Sequence, residues 1–97
     1  MLHTNNMSCS DSILNERLKA LSCITRREII NEIKDNPMTI RNIAAKCNTA
    51  YNVIKKHIML MVDCGLITQS KHGNVRYYQL NKKTAKEIID SIKSLIS

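Results

Sequence analysis

Two residues, Asn48 and Thr49, separate a pair of amphipathic runs, and this gap constrains the fold more than any other feature of the chain. Upstream, Ile40, Ile43, Ala44 and Cys47 recur at helical spacing, and downstream Ile54, Ile58 and Met61 stand four and three apart. Each set makes one apolar stripe on a helix. Thr39 is placed to cap the first helix and Asn48 to end it in the left-handed region. Thr49 is placed to cap the second, which runs to about Cys64 before Gly65 stops it. Two helices joined this tightly cannot lie flat on each other and must cross steeply, the helix-turn-helix arrangement.

The remainder of the chain reads as support for that pair. Residues 1–10 form an N-terminal arm, and 11–97 a single domain. A first helix is expected from Asp11 or Ser12, with Leu14, Leu18 and Leu21 as its apolar stripe. Thr25 and Glu28 have capping-box spacing. Ile29, Ile30 and Ile33 follow as a buried face, and Asn36-Pro37 ends that helix. Leu66–Ser70 and Val75–Leu80 are rich in β-branched and aromatic residues and predict two strands. Lys71–Asn74 is the expected turn, with Gly73 and Asn74 able to take positive φ. Thr84 and Glu87 repeat the capping-box spacing before a last helix with Ile88, Ile89, Ile92, Leu95 and Ile96 on its stripe. With no Trp and no Phe, the core must be aliphatic, with Met and Cys filling gaps. A helix-turn-helix followed at once by a hairpin predicts a mainly α fold with a small β-hairpin wing, a winged helix-turn-helix.

Charge gives this fold a face. The net charge is +7, yet residues 1–38 and 84–97 each sum to zero. Residues 39–83 hold eight basic side chains against Asp63 alone. Confinement to one segment points to a polyanion footprint. On the helix after the gap, Asn52, Lys55, Lys56 and Met59 lie opposite the apolar stripe, a face suited to the DNA major groove. Thr49, Ala50 and Tyr51 at its start, and Arg41 on the helix before it, are further candidate contacts. On the hairpin, Lys71, His72 and Arg76 are candidates for flanking phosphate or a narrow minor groove. Strand alternation turns one of Tyr77 and Tyr78 inward beneath the wing and the other outward.

Other chemistry is poorly represented. Ser, His and Asp occur in no nucleophile–base spacing, and no Gly-rich phosphate loop is present, so no enzyme activity is expected. His57 falls near the buried side of its helix, as a packing or hydrogen-bonding residue. No apolar run reaches the roughly 18 residues of a membrane span, and the polar N-terminus lacks a signal-peptide core, so a cytoplasmic location is expected. Cys9, Cys23, Cys47 and Cys64 form no CxxC, which leaves no zinc site and no expected cofactor. Cys47 and Cys64 face inward and Cys23 lies in a turn. Cys9, in the polar arm, is the candidate for a disulfide between subunits. Two further readings stand beside DNA binding. One is a protein–protein module of the transcription machinery, which needs no localised basic face. The other is a thiol-based redox regulator, which needs an exposed thiol of lowered pKa.

The segments "LKALSCITRREIINEI", "IRNIAAKCNTAYNVIKKHIMLMVDCGLI" and "GNVRYYQLN" resemble the ArsR-type winged helix-turn-helix regulators, close to the MarR type. The correspondence runs from about Leu18 to Asn81. The resemblance implies a DNA-binding homodimer, with an inverted repeat as its double-stranded target. It assigns dimerisation to the first and last helices, through Leu14, Leu18, Leu21, Ile88, Ile89, Ile92, Leu95 and Ile96. It does not carry over metal binding. The places of the family's Cys-x-Cys metal motif fall on Thr39 and Arg41. Of its second metal site, only Glu87 and Asp90 have counterparts.

Overall fold

The computed structural model of the protein describes residues 10–96, and it places five helices and one hairpin in chain order. They are α1 (Asp11–Leu21), α2 (Ile24–Ile33), α3 (Ile40–Cys47), α4 (Tyr51–Asp63), β1 (Ile67–His72), β2 (Val75–Leu80) and α5 (Lys82–Ile96). Cys9 lies outside the described residues.

The gap at Asn48-Thr49 folds as a complete C-terminal lock. Asn48 sits at φ 50°, the only non-glycine in the left-handed region among the described residues. The N–H of Asn48 donates to Ala45 and that of Thr49 to Ala44, the paired bonds that close a helix before a sharp turn. Thr49 is thereby committed to ending α3, and its hydroxyl donates to the Cys47 carbonyl at 3.0 Å. It does not cap α4 as expected. That helix starts two residues later, with Ala50 at its cap position and no side chain on its first N–H groups. The end of α4 repeats the lock. Gly65 takes φ 86°, its N–H meets Val62, and Leu66 N–H meets Met61.

Both capping-box expectations fail, for identifiable reasons. α2 begins at Ile24 with Cys23 as cap, two residues before the expected cap at Thr25. The cause lies at the end of α1. Arg26 Nε donates to the Ala20 carbonyl at 2.8 Å and Arg27 donates to Leu21 at 2.7 Å, which draws the first turn of α2 back over the last carbonyls of α1. α5 begins at Lys82 because Asn81 is the better cap, its Oδ1 accepting the Thr84 N–H at 3.2 Å. Thr84 is left inside the helix and buried, and Glu87 is taken by Arg17 at 3.0 Å.

The wing is a tight hairpin. β1 runs through His72, two residues beyond the expected end at Ser70, so Lys71 and His72 belong to a strand and not to a turn. Only Gly73 and Asn74 lie between His72 and its partner Val75. Gly73 takes φ 65° and Asn74 does not take positive φ, the pattern of a type II′ turn. Strand alternation holds: Tyr78 is buried, while Tyr77 lies on the other face with its ring edge-on to His72, centroids 5.6 Å apart. One feature has no signature in the sequence. Met38, between α2 and α3, bonds Tyr78 in both directions, N–H to carbonyl at 3.0 Å and 2.8 Å, and so adds a single rung to the sheet.

The core is aliphatic as composition requires. Ile29, Ile33, Ile43, Ile54, Ile58, Met61, Leu66 and Ile67 are fully enclosed, with Tyr78 the aromatic member. Cys47 and Cys64 pack against it. The terminal helices divide their stripes. Leu14 and Ile88 are buried in this core and Leu21 packs against it, so none of the three is a free surface. Leu18, Ile89, Ile92, Leu95 and Ile96 are exposed.

Candidate nucleic-acid interface

α4 presents its outward face between two depressions. On one side, Asn52, Lys55, Lys56 and Met59 border an open groove of about 1220 Å³ whose far wall is α1, with Ser12, Ile13 and Glu16. On the other side, Tyr51 borders a cleft of about 530 Å³ shared with Arg41 of α3 and with Asn74, Val75 and Arg76 of the wing. The expected contacts therefore fall into two groups, one on each flank of the same helix. Asn52, Lys55 and Lys56 are exposed, as are Ala50 and Tyr51, while Met59 and Thr49 are half-buried. Lys71 and His72 are exposed on the wing and line neither depression.

Local structure leaves this surface short of negative charge. Neither α3 nor α4 has an acidic residue in its first turn, although a helix N-terminus favours one. The uncapped start of α4 adds free N–H groups, which attract anions. Arg17 lines the same groove near Cys64 and Gly65, but its charge is already paired with Glu87 at 3.0 Å. The cations of α3, α4 and the wing are thus left to solvent or to a ligand. The sequence reading did not include Asn74 and Val75 among the lining residues. Their place beside the turn is the signal that points to them.

Among the described residues three titrating groups have displaced pKa values. Burial, assisted by the charge of Arg26, pushes half-buried His57 below its ordinary value. Burial, followed by the charges of Glu32 and Glu28, pushes the Cys47 thiol up. The Cys23 thiol is pulled down, first by the Arg26 N–H, against a burial effect that raises it. The Thr25 N–H and the charges of Arg26 and Arg27 act with the first cause. Among the described residues no group of three or more His, Cys, Asp or Glu is gathered to hold a metal ion.

No family model matches the chain. The transcriptional repressor SdpR of Bacillus subtilis is 29% identical over 84 residues, spanning 87% of this chain and 93% of its own. The uncharacterized HTH-type transcriptional regulator YuzN of the same bacterium is 30% identical over 78 residues, spanning 73% of this chain and 85% of its own. A crystallised ArsR family transcriptional regulator superposes with a TM-score of 0.79 at 26% identity, over 92% of each chain. The chain belongs to the ArsR-type winged helix-turn-helix transcriptional regulators. Among solved members of this fold is a homodimeric winged helix-turn-helix DNA-binding domain from Mycobacterium bovis, with a TM-score of 0.75 over 97% of this chain and 86% of its own. At 14% identity that likeness is one of fold alone. Within this ArsR-type chain, α4 holds the place of the recognition helix and the β1–β2 hairpin that of the wing.

Proposed function

We propose that this ArsR-type chain regulates transcription as a homodimer that binds double-stranded DNA at an inverted repeat. The observation that carries the reading is the coincidence of charge and fold. The whole positive excess of the sequence lies in 39–83, and that segment runs from the cap of α3 through α4 and the wing to the head of α5. α4 enters the major groove, where Asn52, Lys55 and Lys56 meet base edges and phosphates, and the wing lies on the flanking backbone.

Dimerisation is supported by α5. Ile89, Ile92, Leu95 and Ile96 are all exposed, and Leu95 and Ile96 show 69% and 80% of their surface. Burying such a side chain contributes roughly 1.5–3 kcal/mol, so an unpartnered row of four favours a second copy. The homodimeric Mycobacterium bovis domain supports the same assembly. The protein would act in the cytoplasm, where its DNA lies; no described helix is long and apolar enough to cross a membrane.

Selection of bound duplexes from random DNA, followed by footprinting, tests this reading. The expected result is a palindromic site whose half-sites lie about one helical turn apart. Ile92→Glu should yield a monomer by sedimentation and lose the palindrome. A single asymmetric half-site, or binding to single strands alone, would overturn the proposal.

A further inference from the structure

We propose that Arg41 and Arg76 close on one and the same DNA phosphate, held in the cleft between α3 and the wing, with Tyr51 beside it; this rests on the DNA-binding reading above. The two arginines come from different elements, yet both line one cleft of about 530 Å³. None of its described lining residues is acidic, and neither guanidinium makes an ion pair or hydrogen bond among the described residues. A guanidinium fork is shaped for phosphate oxygens, and two forks on opposed walls enclose one anion.

Each arginine also sits where a cation is disfavoured without an anion. Arg41 occupies the first turn of α3, an eight-residue helix with no acid there to balance its positive end. Arg76 stands directly across the hairpin from Lys71, a like-charge pair. A phosphate in the cleft relieves both.

The walls are held rigidly. The two backbone bonds between Met38 and Tyr78 fasten the wing to the chain just before α3. Arg76 lies two residues from Tyr78 on the same strand face, and Arg41 lies three residues beyond Met38. A short backbone link therefore couples the position of Arg76 to that of Arg41. Such preorganisation makes two weak cations into one site.

The test uses the selected DNA site with a single neutral methylphosphonate linkage moved along each half-site. Wild-type protein should lose about tenfold or more in affinity at one linkage. Arg41→Ala and Arg76→Ala should each bind normal DNA more weakly and each lose part of the sensitivity at that same linkage, and the double alanine variant should lose it altogether. Arg41→Lys and Arg76→Lys should partly restore sensitivity there, which separates lost charge from a damaged fold. Loss of sensitivity at two different linkages would mean two separate phosphates and would overturn the proposal while leaving DNA binding intact. Sensitivity unchanged in both alanine variants would also overturn it. Failure of the wild type to bind any duplex would overturn the DNA reading itself, and this site with it.

Discussion

Lys71 and Arg76 are direct cross-strand partners, one pair in from the turn of the wing. Like charges so placed destabilise a hairpin, and the cost is removed when a polyanion lies against it. Lys71→Glu should therefore make the free protein slightly more stable in urea and bind DNA more weakly. A dimer neutralising roughly 6–10 phosphates should show a slope of log K against log salt of about −5 to −9. Lys71→Ala should flatten that slope by about one unit per lost contact, whereas Lys34→Ala, at the exposed end of α2, should leave it unchanged. Equal effects from both positions in a salt titration would show diffuse polyanion binding.

Asn52 is exposed on the outward face of α4 and its side chain makes no hydrogen bond among the described residues, so the fold does not depend on that side chain. Paired to adenine, it would discriminate by about 1–3 kcal/mol. Asn52→Ala should broaden the selected site at one base pair per half-site without shifting the thermal midpoint. An unchanged site would remove Asn52 from the reading surface.

Arg17 joins three elements. Its Nε donates to the Cys64 carbonyl at the end of α4 at 3.1 Å, and its Nη1 meets Glu87 of α5 at 3.0 Å. Both side chains are largely shielded, at 12% and 29% exposure. Hydrogen bonds to charged groups are worth about 1.5–3 kcal/mol, so Arg17→Ala should lower unfolding free energy by about that amount. Glu87→Gln, which leaves the carbonyl bond in place, should cost less. Urea melts of the two variants would show the order, and the reverse order would assign the stability to Glu87 alone.

His57 gives stability a pH dependence of definite sign. Its folded pKa is depressed, by burial and then by Arg26. Above the ordinary histidine value near 6.5, both states are neutral and nothing is lost. As pH falls below it, the unfolded chain takes up a proton before the folded one, so stability declines until the folded state protonates too. His57→Gln should flatten that decline in melts recorded from about pH 7.5 to about pH 5, the range spanning the ordinary value.

Apolar spacing carried the architecture into the sequence. The stripes of α3 and α4, the left-handed Asn48 and the alternation of Tyr77 and Tyr78 are local facts, fixed within a few residues of chain. What failed was decided across the fold. Thr25 has the right spacing from Glu28, but Arg26 and Arg27 are used on α1, which shifts the helix start. Glu87 has the right spacing from Thr84, but Arg17 claims it from 70 residues away. The rung between Met38 and Tyr78 is a bond between backbones and leaves no mark in side-chain pattern. The same holds at the candidate interface. The cationic residues were legible one by one, whereas the grouping of Arg41, Tyr51 and Arg76 in one cleft depends on how the wing folds back.

The bond from Arg17 to the end of α4 has a mechanical meaning. α1 and α5 carry exposed apolar side chains, Leu18 on one and Ile89, Ile92, Leu95 and Ile96 on the other, and Arg17 ties both helices to the trailing carbonyl of α4. The guanidinium lies beside Gly65, 3.4 Å from where a side chain there would begin, and both of its bonds are to neighbouring elements. Turning α1 against α5 would have to drag the tail of α4 with it. The pitch at which that helix is offered would then follow the angle between its neighbours, as a rudder follows its tiller.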